Sequence, residues 1–209
     1  MKKNILFSIV FLYALTATAQ INAITESGDQ VVLYEDGTWK YVDNATEEEV
    51  AITENKKNFT KNKKASFLVK SKKLNVGIWI NPKKWSFVKG TEKDNYEYEF
   101  TLKGEDLYAM LIAEKVQIPL TSLIEIALNN AKNVSPDVRV IKKEYRTVNG
   151  VKVLMMQMAG TIKGIKFKYF GYYYSNSNGT IQLLAFTGAQ LFDNYTDEIE
   201  DFLNGFVEL

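Results

Sequence analysis

Glu97 and Glu99, one residue apart in "YEYEF", and Asp193, Asp197, Glu198, Glu200 and Asp201, crowded into "DNYTDEIED", are the groups whose type and spacing could do chemistry. Two carboxyls about 5–10 Å apart can hydrolyse a glycosidic bond, one donating a proton and the other serving as base or nucleophile. Most other chemistry is closed off, because the chain has no histidine and no cysteine. Zinc, copper, haem and iron–sulfur sites lose their usual ligands. Ser-His-Asp and Cys-His catalysis are excluded. Oxygen-ligated calcium remains open, yet "DNYTDE" lacks the glycine and spacing of a known calcium loop. No glycine-rich phosphate loop is present. The acids also have a structural account. Alternation puts Glu97 and Glu99 on the outer face of a strand, and the helix dipole favours acids near a helix start. The sequence therefore names no catalytic residue, no metal ligand and no cofactor.

Aromatic side chains offer a binding surface instead. In "GIKFKYFGYYY", Phe170, Tyr172 and Tyr174 share one face of a strand, with Lys166 and Lys168 further along it. Ile165, Phe167, Tyr169 and Tyr173 on the other face suffice for a core. The second row is then either covered by a helix or exposed as an interface. Trp39, in "VVLYEDGTWKYV", is a further candidate for stacking on a ligand or for packing. The segment "KGIKFKYF" is similar to the aromatic signature of RNA-recognition sheets at Lys163-Gly164, Phe167 and Phe170, but Ile165, Lys166 and Lys168 depart from it. No nucleic-acid partner is expected.

Stepwise organisation begins at Met1. "MKKNILFSIVFLYALTATAQ" carries Lys2 and Lys3, an apolar run from Ile5 to Leu15 and the small residues Ala17-Thr18-Ala19. This is the pattern of a secretory signal peptide over residues 1–19, cleaved before Gln20. The apolar run is too short to cross ~30 Å of hydrocarbon, and no later segment spans a membrane. The mature chain is expected in a periplasm or outside the cell, held by its core without disulfides. Loss of Lys2 and Lys3 takes the formal charge from +1 to −1, so no global charge steers it to nucleic acid or membrane. Residues 20–43 read as a β-hairpin module turning at Asp36-Gly37. Residues 44–73 read as a charged linker. Acids come first, and then an acid-free run holds Lys56, Lys57, Lys61, Lys63, Lys64, Lys70, Lys72 and Lys73. A basic arm for an anionic surface is the alternative there.

Residues 74–209 read as one α+β domain. "LNVGIWI" is a buried strand, and Asn81-Pro82 opens a short helix. "YEYEFTLKG" alternates as a half-buried strand, and Lys103-Gly104 turns it into "DLYAMLIAE". Leu120, Leu123, Ile124, Ala127, Leu128 and Ala131 fall on one helix face, with Ser122 and Glu125 as a capping box or Pro119 as an earlier start. Four strands follow as an antiparallel meander, with turns at Asn149-Gly150 and Asn178-Gly179. Phe192, Tyr195, Ile199, Phe202, Leu203 and Phe206 make a closing amphipathic helix.

This order of elements, with "WINPKKWSF" near the domain start and "IQLLAFTGAQLFDNYTDEIEDFLNGF" at its end, resembles the PsbP-like superfamily. That group includes photosystem II extrinsic proteins, the Ran-binding release-factor fold and DcrB-like envelope proteins. The resemblance implies an antiparallel sheet flanked by helices, an α/β/α sandwich, in a protein that acts as an accessory or binding factor rather than an enzyme. The metal-binding positions of photosystem members have no matching motif here. The function expected is an exported non-catalytic protein of the bacterial cell envelope that recognises a protein or envelope component. A periplasmic toxin-immunity protein and a carboxylate-dependent glycan hydrolase are the alternatives.

Overall fold

A computed structural model describes residues 21–24, 30–34, 36–41 and 50–209. The signal peptide and its cleavage point lie outside these residues. The chain forms two compact units, 1–46 and 47–209.

In the first unit β1 (Ile21–Ile24), β2 (Gln30–Leu33) and β3 (Trp39–Tyr41) pair antiparallel in that order. The β2–β3 hairpin closes where the Tyr34 N–H donates to the Thr38 carbonyl at 2.9 Å, and Gly37 takes the left-handed φ of 79°. A side chain would be strained in that conformation, and glycine is not. Asp36 accepts from the Thr38 N–H and hydroxyl at 2.8 and 2.6 Å. The module is therefore a hairpin extended by a third strand.

The second unit is mostly β with two helices, an α+β fold. Its strands are β4 (Ile52–Phe59), β5 (Phe67–Lys70), β6 (Val76–Ile80), β7 (Trp85–Lys89), β8 (Tyr98–Leu102) and β9 (Leu107–Glu114), then β10 (Arg139–Val148), β11 (Val151–Ile162), β12 (Ile165–Asn176), β13 (Gly179–Gly188) and β14 (Phe206–Glu208). The helices are α1 (Leu120–Lys132) and α2 (Phe192–Leu203). An eight-stranded sheet runs β4-β10-β11-β12-β13-β9-β8-β7, and a three-stranded sheet runs β14-β6-β5. The β4–β10 pair is parallel. Asn149-Gly150 and Lys163-Gly164 hold positive φ at both positions, the twist that two-residue hairpins need, and so join β10 to β11 and β11 to β12.

Strand alternation feeds two cores. Val153 and Met155 of β11 join Phe170, Tyr172 and Tyr174 of β12 under α2 and the small sheet, where Val69, Ile78, Ile80 and Phe206 also pack. Leu154, Met156 and Met158 of β11, with Tyr173, meet Leu123, Ile124 and Ala127 of α1 on the opposite face.

Several expectations are corrected. Residues 44–73 are not a linker throughout, since β4 pairs with β10 and β5 pairs with β6. Lysines at the outward positions hid two strands whose buried anchors are Phe59 and Val69. The neighbouring strand supplies the backbone hydrogen bonds that so few apolar residues could not secure alone. No helix follows Asn81-Pro82. The Asn81 side chain accepts from the Lys83 N–H at 3.1 Å, its carbonyl accepts from Lys84 and Trp85, and the chain enters β7 directly. Helix α1 starts after Pro119, which leaves Ser122 inside it and no capping box. Phe206 belongs to β14, not to the closing helix.

Candidate interaction surface

Phe170, Tyr172 and Tyr174 are core residues, not an exposed row. Helix α2 and β14 cover their face. The Tyr172 hydroxyl donates to Asn204 Oδ1 at 2.8 Å and accepts from Arg146 Nη1 at 3.1 Å. Burial pushes this hydroxyl up to about 12, against the nearby Arg146 charge. Of the two lysines further along, Lys166 is exposed, while Lys168 pairs with Asp193 at 3.3 Å and lies over the Phe192 ring. Trp39 sits in the first unit, half exposed, opposite Leu33 in the β2–β3 register.

The carboxylates are structural partners. Arg146, buried between the rings of Phe59 and Phe170, donates to Glu144 at 2.6 Å and to Glu200 at 2.9 Å. Burial alone would raise the Glu144 carboxyl. Hydrogen bonds from Lys142, Asn55 and Arg146, with the Arg146 charge, outweigh burial and bring it below the usual range. Glu198 takes an ion pair from Lys84 and the Trp85 indole N–H at 3.0 Å, and Asp201 accepts from Asn62 at 2.6 Å. Glu97 is not on an outer face. It precedes β8, is buried, and accepts from the Ser71 hydroxyl at 2.6 Å and from the Lys72 N–H. Its neighbour Glu99 stays half exposed, so the two do not face one site. Among the described residues no group of three or more acids is placed to hold a metal ion.

A surface absent from the sequence reading emerges where the sheets meet. Strands β5 and β7 are edge strands of different sheets, yet the rings of Phe67 and Phe87 lie 5.9 Å apart. Phe87 also meets Tyr98 and Phe100, which roots it in the core rim. Even so, Phe67 is 46 % exposed, Phe87 39 % and Val88 60 %. At the start of both strands lies a cavity of about 80 Å³, lined by Lys64, Trp79, Lys84 and Trp85 among others. At their far ends lies an open cleft of about 650 Å³, bordered by Lys72, Lys73 and Lys89. The result is an apolar strip with lysines and acids at both ends, Lys64 and Lys84 with Glu198 and Asp201 at one and Lys72, Lys73 and Lys89 with Glu92, Asp94 and Glu97 at the other. The lysine excess is regional: from Asn55 to Thr91 the chain has eleven lysines and no acid. The signal missed was "SFVK", whose aromatic and β-branched residues favour a strand once Pro82 is read as a turn.

No protein-family model matches the chain, and no curated protein matches its sequence. Solved structures do resemble it. The solution structure of cyanobacterial PsbP (CyanoP) from Synechocystis sp. PCC 6803 superposes with a TM-score of 0.53 at 14 % identity, covering 69 % of this chain and 94 % of that one. LpqN of Mycobacterium tuberculosis, described as involved in cell envelope biogenesis, gives a TM-score of 0.47 at 10 % identity over 68 % of this chain and 88 % of its own. The resemblance to the PsbP-like superfamily holds at the level of fold.

Proposed function

We propose that this chain is an exported, non-catalytic accessory or binding protein of the bacterial cell envelope, a PsbP-like α/β/α sandwich that recognises a protein or envelope component. The observation that carries the reading is the strip of Phe67, Phe87 and Val88, left in water on two abutting edges. Exposed apolar patches of this kind mark interaction sites. The employment of the carboxylates supports a role without catalysis. Glu144 and Glu200 share one arginine, and the carboxyls of Asp36, Asp94, Asp137 and Glu144 shift downward, the wrong direction for a general acid. Among the described residues no helix is long and apolar enough to cross a membrane. The test is capture from detergent-solubilised envelope by the mature protein carrying an affinity tag. A partner retained by the wild type and displaced by untagged protein is expected. Failure to retain any saturable component, or release of reducing sugar from envelope glycan, refutes the reading.

A further inference from the structure

We infer that β7 pairs with the β7 of a second copy of this chain, antiparallel about a two-fold axis at Phe87, and that this pairing closes the exposed strip until a partner displaces it. The inference rests on the binding reading above and adds how that site is regulated.

The backbone sets the register. Among the described residues β7 pairs only with β8. The Gly90 N–H donates to the Glu97 carbonyl and the Lys84 carbonyl accepts from the Lys103 N–H, both at 2.9 Å, so even-numbered residues turn their backbone groups toward β8. In an antiparallel ladder the alternate residues then turn theirs outward. Those are Trp85, Phe87 and Lys89, and of their groups only the Trp85 N–H is already held, by the Asn81 carbonyl. A copy centred on Phe87 meets this set with its own. The two Phe87 residues exchange both bonds, and each Lys89 N–H reaches the Trp85 carbonyl of the other copy. Both Phe87 rings then fall on one face beside each other, flanked by Phe67 of each copy. On the other face Val88 lies opposite Ser86.

Edges and symmetry choose the occupant. Proteins usually blunt a free edge with charge, and β4, at the far edge of the same sheet, exposes Glu54, Lys56 and Lys57. Strand β7 exposes Phe87 and Val88 instead. Pairing β7 with the β4 of another copy would leave a free edge at each end and grow without closing. Pairing β7 with β7 closes at two and leaves the charged β4 edges outermost. Charge agrees with a copy. Each end of the strip carries as many carboxylates as lysines, and the two-fold axis sets one kind of end against the other. A uniformly acidic or basic segment would be repelled by half of these groups. In this register Lys83 comes opposite Thr91 of the other copy, next to its Glu92. Both Lys83 and Glu92 are exposed and without an ion pair in their own chain, and the symmetry makes this contact twice.

The test uses the full mature protein, which has no cysteine of its own. Sedimentation from low micromolar to near-millimolar concentration should show a monomer passing into a dimer and nothing larger. Val88→Lys adds the missing edge charge at an exposed position and should weaken the dimer at least about tenfold with an unchanged melting temperature. Ser86→Cys and Val88→Cys, mixed and mildly oxidised, should give a covalent dimer. Their residues form a non-hydrogen-bonded pair with Cα atoms about 4.5 Å apart, within disulfide reach. Either variant alone sets its cysteines two residues out of register and should cross-link at least about tenfold less. The cross-linked dimer should lose the envelope partner and regain it on reduction. A wild type that stays monomeric, a Val88→Lys variant that dimerises like the wild type, or equal cross-linking by a single variant overturns the proposal. Undiminished capture by the cross-linked dimer also overturns it, since the pairing would not close the strip. If the wild type dimerises in this register and captures nothing from the envelope, the pairing stands and the binding reading fails.

Discussion

Replacing Arg146 by methionine should be among the most damaging single changes in the second unit, and its cost should depend on pH in a defined direction. The Arg146 and Glu144 side chains are each 5 % exposed and lie 2.6 Å apart. Removing the guanidinium leaves the Glu144 carboxylate buried with Lys142 at 2.9 Å and Asn55 at 3.0 Å, and deprives Glu200 and the Tyr172 hydroxyl of a donor. Breaking a buried pair from one side costs about 3–5 kcal/mol. In a domain of this size each kcal/mol shifts the melting temperature by about 2–4 °C, so R146M should melt roughly 6–20 °C lower at pH 7. Glu144 sits below its unfolded value of 4.5 in the native state. The stability it contributes is therefore present above that pH and lost as pH falls through the folded value. The gap between wild type and R146M should narrow as pH drops below about 4.5, while E144Q should flatten the acid limb. The double variant R146M/E144Q removes both charges and should lose less than the sum of the single changes. Circular dichroism melts from pH 3 to pH 8 read all of this. A melting shift under about 3 °C, or a gap independent of pH, would refute the view that this pair is a buried, mutually dependent unit.

Other outcomes follow from single contacts. Tyr173 is fully buried and among the described residues its hydroxyl has no hydrogen-bond partner, so Tyr173→Phe should stabilise by about 1 kcal/mol, raising the melting temperature by about 2–4 °C. Asn149 donates to the Asn204 and Phe206 carbonyls at 2.8 Å and accepts from the Lys61 N–H at 2.9 Å. Asn149→Gly keeps the turn but strands these groups, and chemical denaturation should show a loss of about 1–3 kcal/mol. Residues 47–209 hold both core clusters from Phe59 onward, and expressed alone they should melt cooperatively, with Lys56 to Lys64 protected from dilute trypsin. For the exported protein, intact mass should place the first residue at Gln20; retained Met1 in that pool excludes the cleavage.

Legibility in the sequence tracked how locally each element is determined. The turn at Asn149-Gly150 and the apolar face of α1 are written in adjacent residues, and they were found. Strand β4 was missed because its partner, β10, lies about ninety residues away and its lysines resemble a solvated linker. The exposed aromatic strip was missed for a related reason. Phe67 and Phe87 meet only because two different sheets end side by side, and no spacing records that. On β12 the parity of the rows was read correctly, and of the two readings left open for the row of Phe170, Tyr172 and Tyr174, helix cover is the one that holds. Phe170 and Tyr172 are under α2, whereas Tyr169 and Phe186 stay half exposed, 5.9 Å apart, on the other face.

Early and late chain meet twice in this topology. Strand β4 needs β10, and β6 takes β14, the last strand, with the Trp79 N–H donating to the Gly205 carbonyl at 2.8 Å. A ribosome or translocation channel releases the amino-terminal half first, and that half cannot complete the two sheets of the second unit. The run from β10 to β13, linked by tight turns, is the longest run of strands in the second unit whose partners lie next to it, and low sequence separation speeds pairing. Folding should therefore begin late in the chain and reach backwards, with the lysine-rich strands captured last. Strand β6 stays without this partner until β14 arrives, which would suit the export proposed above.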